Sequence, residues 1–215
     1  MMTALVLKDF YTMKKYLVKQ LGIFIIIYLF ISYNMKNGSF FSAMLQMIIS
    51  MSLISSFSYD EYAHWDSYAL SLPISRSEIV GAKYLLFLFG TIIGTALSAI
   101  GGIALNLLLD GNIIEIFASI AACVIIFTII TSITLPLFFK YGTERGRMLM
   151  TLSLLVPFFG VFLLSGLVKE GKLSFLAPPS EAQIILIIIA LILLTALFFW
   201  ISYLISVKIY EKKEF

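Results

Sequence analysis

Apolar residues in this chain gather into long runs that contain no charge. They are Gln20–Met35, Asn37–Tyr59, Tyr84–Leu109, Ile116–Phe139, Met148–Val168 and Ala182–Val207. Their lengths are 16, 23, 26, 24, 21 and 26 residues. A helix needs roughly 20 apolar residues to cross the hydrocarbon core of a bilayer. Five runs meet that length, and the first meets it if Leu17–Lys19 joins it with the lysine snorkelling to the interface. None alternates with the period of two that a membrane barrel strand requires. Backbone groups in lipid must be satisfied within the segment, so each run is expected to be a helix. The expected fold is therefore all-α and polytopic, a single transmembrane domain over residues 1–215. Its spans are placed at about 18–35, 39–58, 84–109, 114–139, 148–168 and 182–207.

The stretches between the runs carry a second pattern. Ahead of the first run, Val6, Phe10, Met13 and Leu17 lie along one helical face, and Lys8, Thr12, Lys15 and Lys19 along another. This spacing predicts an amphipathic interfacial helix over 3–19, with lysines at anionic headgroups; a plain positive flank is the other reading. After the second run, Tyr62, Trp65, Ala69 and Leu72 form one stripe, while Asp60, Glu61, His64, Asp66 and Ser71 mostly take the other faces. Pro73 disfavours helix at Leu72. Ser75-Arg76-Ser77-Glu78 then matches a capping box before Ile79-Val80. A short helix over Asp60–Leu72, a turn at Leu72–Ser75 and a helix running from near Arg76 into the third span are expected. The short helix is either a docking element or an interfacial anchor with its Tyr and Trp in the headgroups. After the fourth run, Lys140–Arg147 forms a short basic loop, with Gly142 and Gly146 suited to a tight turn. On the opposite side, Asn34–Ser39 and Asp110–Glu115 are short, and Lys169–Glu181, with Pro178-Pro179, is long enough for a short extracellular or re-entrant element.

Composition agrees with the runs. Hydrophobic residues make up 61% of the 215 positions and charged residues 13%, against roughly 25% charged in a soluble domain. A soluble globular enzyme, a disordered tail and a disulfide scaffold are excluded. Lys8, Lys14, Lys15, Lys19, Arg76, Lys83, Lys140, Arg145, Arg147, Lys208, Lys212 and Lys213 fall on one side of the spans, and Lys36, Lys169 and Lys172 on the other. The positive-inside rule then predicts both termini in the cytoplasm. The net charge of +3 carries no message about nucleic acid. No small-x-small site follows the first run, so it is not expected to be a cleaved signal. The single Cys123 lies in the fourth run and is expected to pack as a small core residue.

Chemistry is sparse. No charged residue or histidine lies within the six apolar runs, whereas ion-coupled carriers and pumps place such groups at membrane depth. The one histidine, His64, leaves no zinc motif and no serine–histidine pair. Gly166–Leu173 imitates a phosphate-binding loop, but Leu173 stands where the Mg²⁺-binding hydroxyl belongs and no strand precedes it. No catalytic, cofactor or metal residues are therefore assigned, and uphill transport would need energy from another subunit. In the third span, Gly90, Gly94, Ser98 and Gly102 recur every fourth position, which lets helix backbones approach closely. Packing within the chain, a dimer contact and a pathway lining are the readings of that stripe. Pro136 and Pro157 are candidate kinks, and Gln46 and Asn106 the main amides of the bundle.

The inner loops resemble those of bacterial type-2 ABC exporter permeases. The resemblance rests on Asp60, Trp65, Tyr68, the run Leu70-Ser71-Leu72-Pro73-Ile74-Ser75-Arg76-Ser77-Glu78-Ile79-Val80, and Lys83-Tyr84-Leu85. Leu135-Pro136, Phe139-Lys140-Tyr141-Gly142 and Glu144–Arg147 resemble the second inner loop of that family, and the six-span pattern covers the whole chain. Within the family the chain looks most similar to small permeases such as that of the phenol-soluble modulin exporter. The resemblance implies a bacterial plasma-membrane half-transporter that exports amphipathic or membrane-active peptides or similar hydrophobic molecules. It implies a second permease chain, and a separate ABC subunit that holds ATP and Mg²⁺; this chain binds no cofactor itself. It implies ATPase docking through Asp60, Glu61, Tyr62, Trp65, Asp66, Tyr68, Leu72, Arg76 and Glu78, with a second contact at Tyr141, Gly142, Glu144 and Arg145. No substrate residue carries over. A non-transporting membrane scaffold or sensor, and a permease for peptide-antibiotic immunity or ion efflux, are the competing expectations.

Overall fold

The apolar runs contain few helix breakers, and where a breaker or cap does occur the chain turns. The computed structural model describes residues 2–69, 71–109, 112–169 and 181–213, without the side chains of 66–67, 153–154 and 156–189. All regular structure among them is helical: α1 (Met2–Met35), α2 (Gly38–Tyr62), α3 (Trp65–Ala69), α4 (Arg76–Leu109), α5 (Ile113–Lys169) and α6 (Glu181–Glu211). Among the described residues, five stretches are long and apolar enough to cross a membrane: Met2–Met35, Gly38–Tyr62, Arg76–Leu109, Ile113–Leu152 and Ala190–Glu211. The expected span at 148–168 follows helical backbone within α5, but most of its side chains lie outside the description. The Pro178-Pro179 segment and its candidate re-entrant element lie outside the described residues altogether.

Two expectations about boundaries need correction. The interfacial helix and the first span are one helix, α1, of 34 residues. At 1.5 Å per residue that is roughly 50 Å, longer than the roughly 30 Å core. Positions 2–35 hold no proline and no internal cap, so nothing divides them. The docking helix is five residues, Trp65–Ala69, because α2 runs on to Tyr62 before Ala63 and His64 turn the chain. His64 has φ 48, and its N–H donates to the Glu61 carbonyl at 3.1 Å.

The other joints were built from local chemistry. Lys36 takes φ 50, and Asn37 N–H reaches back to the Ser32 carbonyl at 3.1 Å, which satisfies the end of α1 as a Schellman turn does. Asn37 also caps α2: its Oδ1 accepts from the N–H of Ser39 at 2.9 Å and of Phe40 at 3.2 Å. The capping box opens α4 at the expected residues. Ser75 N–H donates to Glu78 Oε2 at 3.0 Å, and Glu78 N–H to Ser75 Oγ at 3.3 Å. The non-helical torsions within α5 fall at Gly142, with φ 79 and ψ −177, six residues past Pro136. Gly146, the other expected turn residue, is helical and lies against the Phe138 ring.

The chain divides into two compact units, Met1–Phe127 with Val207–Phe215, and Thr128–Ser206. In the first, α2 is the enclosed helix: 67% of its most apolar stretch is buried, against 6% for α1. Phe41, Leu45, Ile48 and Ile49 of α2 and Leu105 of α4 form a core, flanked by Leu21, Phe24, Ile25 and Tyr28 of α1. The small-residue stripe of α4 is turned to α2. A Cβ at Gly90 would strike Leu53, one at Gly94 would stand 3.0 Å from Gln46 Oε1 and Ile49 Cγ2, and one at Gly102 would strike the Ser42 hydroxyl. In that seam the polar atoms of Gln46, Ser50 and Ser98 are buried and unpartnered, a cost of about 1–3 kcal/mol for each group left unpaired. Cys123 is half-buried beside α2, its Sγ 3.7 Å from the Ala43 carbonyl.

In the second unit, the described part of α6 turns small polar residues inward. Thr195, Ser202 and Ser206 of α6 are buried, whereas Leu193, Leu197 and Trp200 are exposed. Ser202 Oγ donates to the Ser132 carbonyl at 2.6 Å. This arrangement suits helices that meet lipid on their outer face and each other through small polar residues.

Candidate functional site

The N-terminal part of α1 buries Leu5, Asp9 and Met13, which step by four. Asp9 is the only acidic residue before Asp60, and the face it occupies meets α2 and α4. There it joins three other charges. Lys83 Nζ of α4 lies 2.9 Å from Asp9 Oδ2 and 2.5 Å from Asp60 Oδ2. Lys8 Nζ donates to Asp60 Oδ1 at 2.7 Å. It also lies 2.9 Å from Asp9 Oδ1, a charge contact without hydrogen-bond alignment. The Lys83 and Asp9 side chains are only 5% and 3% exposed. Lys83 Nζ is further held by Ser56, at 3.2 Å from its Oγ and 3.5 Å from its carbonyl. Two cations and two anions thus close a neutral ring that ties α1, α2 and α4 together. Burial of a single member would be prohibitive; burial of the balanced set is tolerable because every charge faces an opposite one.

The ring reaches outward through Lys8. Its ammonium stands 3.9 Å from the centroid of the Trp65 ring on α3, a cation–π contact. Trp65 in turn packs on Tyr68 at 5.5 Å between centroids. Tyr62 and Tyr68 turn their rings away, 85% and 59% exposed. On the other side of the turn, Arg76 donates to the carbonyls of Tyr210, Glu211 and Lys213 at 3.3, 2.5 and 3.1 Å. A guanidinium therefore closes the C-terminal end of α6, where carbonyls lack helical partners and the dipole is negative. Among the described residues, no three His, Cys, Asp or Glu side chains stand together as a metal site. What the arrangement offers is mechanical: an aromatic surface fixed, through one lysine, to three long apolar helices.

The family model described as ABC-2 family transporter protein matches residues 4–211, nearly the whole chain. The chain belongs to the ABC-2 transporter family. No curated protein and no solved structure matches it. Membership makes it a multi-pass transmembrane permease component of an ABC transporter, and implies an ABC ATP-binding subunit as its partner.

Within this ABC-2 permease, several residues expected to dock are in different places. Asp60, Glu61 and Tyr62 end α2 rather than forming part of a separate helix. Asp60 does not face outward: Lys8 and Lys83 occupy both its oxygens. Arg76 is committed to the end of α6, and Glu78 to the capping box. Trp65 and Tyr68 do sit together on α3, with half-buried Leu72 just beyond it; the Asp66 side chain lies outside the description. In the second unit, Tyr141, Glu144 and Arg145 are exposed around the break at Gly142, and Lys140 Nζ stands 5.0 Å from the Tyr141 ring centroid. Asp9 was missed from sequence, and so was the inward role of Lys8 and Lys83. A lone acid among five lysines, on the Leu5–Asp9–Met13 face, was the available signal.

Proposed function

We propose that this ABC-2 permease is an exporter subunit for amphipathic, membrane-active peptides, driven by a separate ATPase that docks on Tyr62, Trp65 and Tyr68. The observation that carries the reading is the Lys8 bridge: one ammonium touches the Trp65 ring and both carboxylates of the buried ring. Movement of α3 by a docked ATPase would displace Lys8, and with it the pairing that holds α1, α2 and α4 in register. The second inner loop, with Tyr141, Gly142, Glu144 and Arg145, provides a further contact. Both termini face the cytoplasm of a bacterial cell, as the distribution of lysine and arginine supports. Two permease chains assemble with two ATPase subunits. The chain itself catalyses nothing, and ATP and Mg²⁺ reside on the partner. The peptide class is supported by the absence of charged residues from the middle of the apolar runs.

Co-expression with the ATP-binding subunit and reconstitution into liposomes tests this. A synthetic amphipathic helical peptide should raise ATP turnover several-fold and accumulate across the membrane only with ATP. Turnover indifferent to the peptide, with no accumulation, would remove the peptide-export reading.

A further inference from the structure

The α2–α4 seam holds a polar set that the docking end does not use. Gln46 is fully buried, and neither atom of its carboxamide has a partner. Ser50, one turn along α2, and Ser98, on the facing helix, are likewise buried and unpartnered. The carboxamide is aimed into the small-residue stripe, since a Cβ at Gly94 would stand 3.0 Å from its oxygen. These positions lie well inside the charge-free runs 37–59 and 84–109, where lipid tails offer no hydrogen bonds.

The same two helices are tied at one end. Asp60 of α2 pairs with Lys83 of α4, and Lys83 bonds Ser56. Along the stripe, α4 presents only Gly90, Gly94, Ser98 and Gly102, so no large α4 side chain interlocks with α2 at those positions. The seam is pinned by charge at one end, and along its middle α2 side chains rest on small α4 residues with no charge pair across it.

We infer that this seam is a closed binding site, which parts about its pinned end and takes up an amide-bearing segment of the transported molecule. Gln46 offers two donors and one acceptor, the complement of a peptide amide, and Ser50 and Ser98 supply hydroxyls on either side. A solute without such groups would leave the set unpaired, so the site selects polypeptides over purely apolar molecules. The inference rests on the peptide-export reading and gives that reading its contact residues.

The test uses the complete permease–ATPase complex, purified and shown to hydrolyse ATP, with Cys123→Ser as background. A membrane-permeant maleimide reports water access at Ser98→Cys, with Leu97→Cys, on the exposed face, as the lipid reference. Labelling of Ser98→Cys should rise at least tenfold with ATP, and an amphipathic helical peptide should suppress that rise. Adding Gln46→Leu should raise the melting temperature, because unpaired polar atoms are removed, and should abolish the ATP-dependent labelling. Labelling unaffected by ATP, or unaffected by the peptide once ATP has raised it, overturns the inference. So does a Gln46→Leu complex that melts lower or labels unchanged. ATP hydrolysis and peptide accumulation, measured on the same preparation, keep such a failure separate from failure of the export reading.

Discussion

At the scale of single residues, the ring formed by Lys8, Asp9, Asp60 and Lys83 is the most consequential feature. Its charges cancel, so removing one leaves an opposite charge buried and short of a partner. Asp9→Asn is therefore expected to lower unfolding stability in detergent by about 3–5 kcal/mol, the range for breaking a buried pair. Asp9→Asn combined with Lys83→Met keeps the Lys8–Asp60 pair and restores neutrality. The double variant should be less destabilised than the sum of the singles, with a coupling of about 0.5–3 kcal/mol. Strict additivity in a thermal-unfolding cycle would show that the four groups do not act as one unit. Little of this was legible in the sequence. Lysines at span ends satisfy the positive-inside rule wherever they point, so Lys8 and Lys83 gave no sign of turning inward. Their partners lie 52 and 23 positions away at Asp60, a separation that only packing closes.

At the scale of elements, local chemistry governs the joints and the seam. The capping box at Ser75–Glu78 was fully legible, because its four residues are contiguous and their bonds are local. The apolar runs were equally plain. The end of α2 was not, since Ser58–Tyr62 carries no breaker and helix continues until His64 turns the chain. The division of α1 failed for the same reason. Glycines distinguish the packed helices from the open one. Gly22 of α1 has nothing within 4 Å of a Cβ position, so Gly22→Ala should stabilise by about 0.5–1 kcal/mol through helix propensity. Gly94→Leu would force Gln46 and Ile49 aside and should cost about 1–3 kcal/mol. Both are read from melting in detergent, and equal shifts at the two sites would deny the α2–α4 contact. Gly142, at φ 79 and ψ −177, occupies torsions nearly reserved for glycine, so Gly142→Ala should cost about 1–3 kcal/mol.

At the scale of the whole molecule, one lysine, Lys8, joins the proposed docking surface to α1, α2 and α4. Orientation comes first: with Cys123→Ser as background, Lys36→Cys should react with an impermeant maleimide added outside intact cells, and Lys140→Cys should not. External labelling of Lys140→Cys would invert the assignment and take the docking surface away from the ATPase. The direct test is the affinity of the purified permease for its ATP-binding subunit, with and without Trp65→Ala. Trp65 is the point where the exposed aromatic surface meets Lys8, and tryptophan at an interface centre is commonly worth about 2 kcal/mol or more. The expected result is a loss of affinity of about 30-fold, with the permease still folded and inserted. Unchanged affinity in a folded Trp65→Ala permease would contradict the account, because the ATPase would then be docking somewhere other than α3.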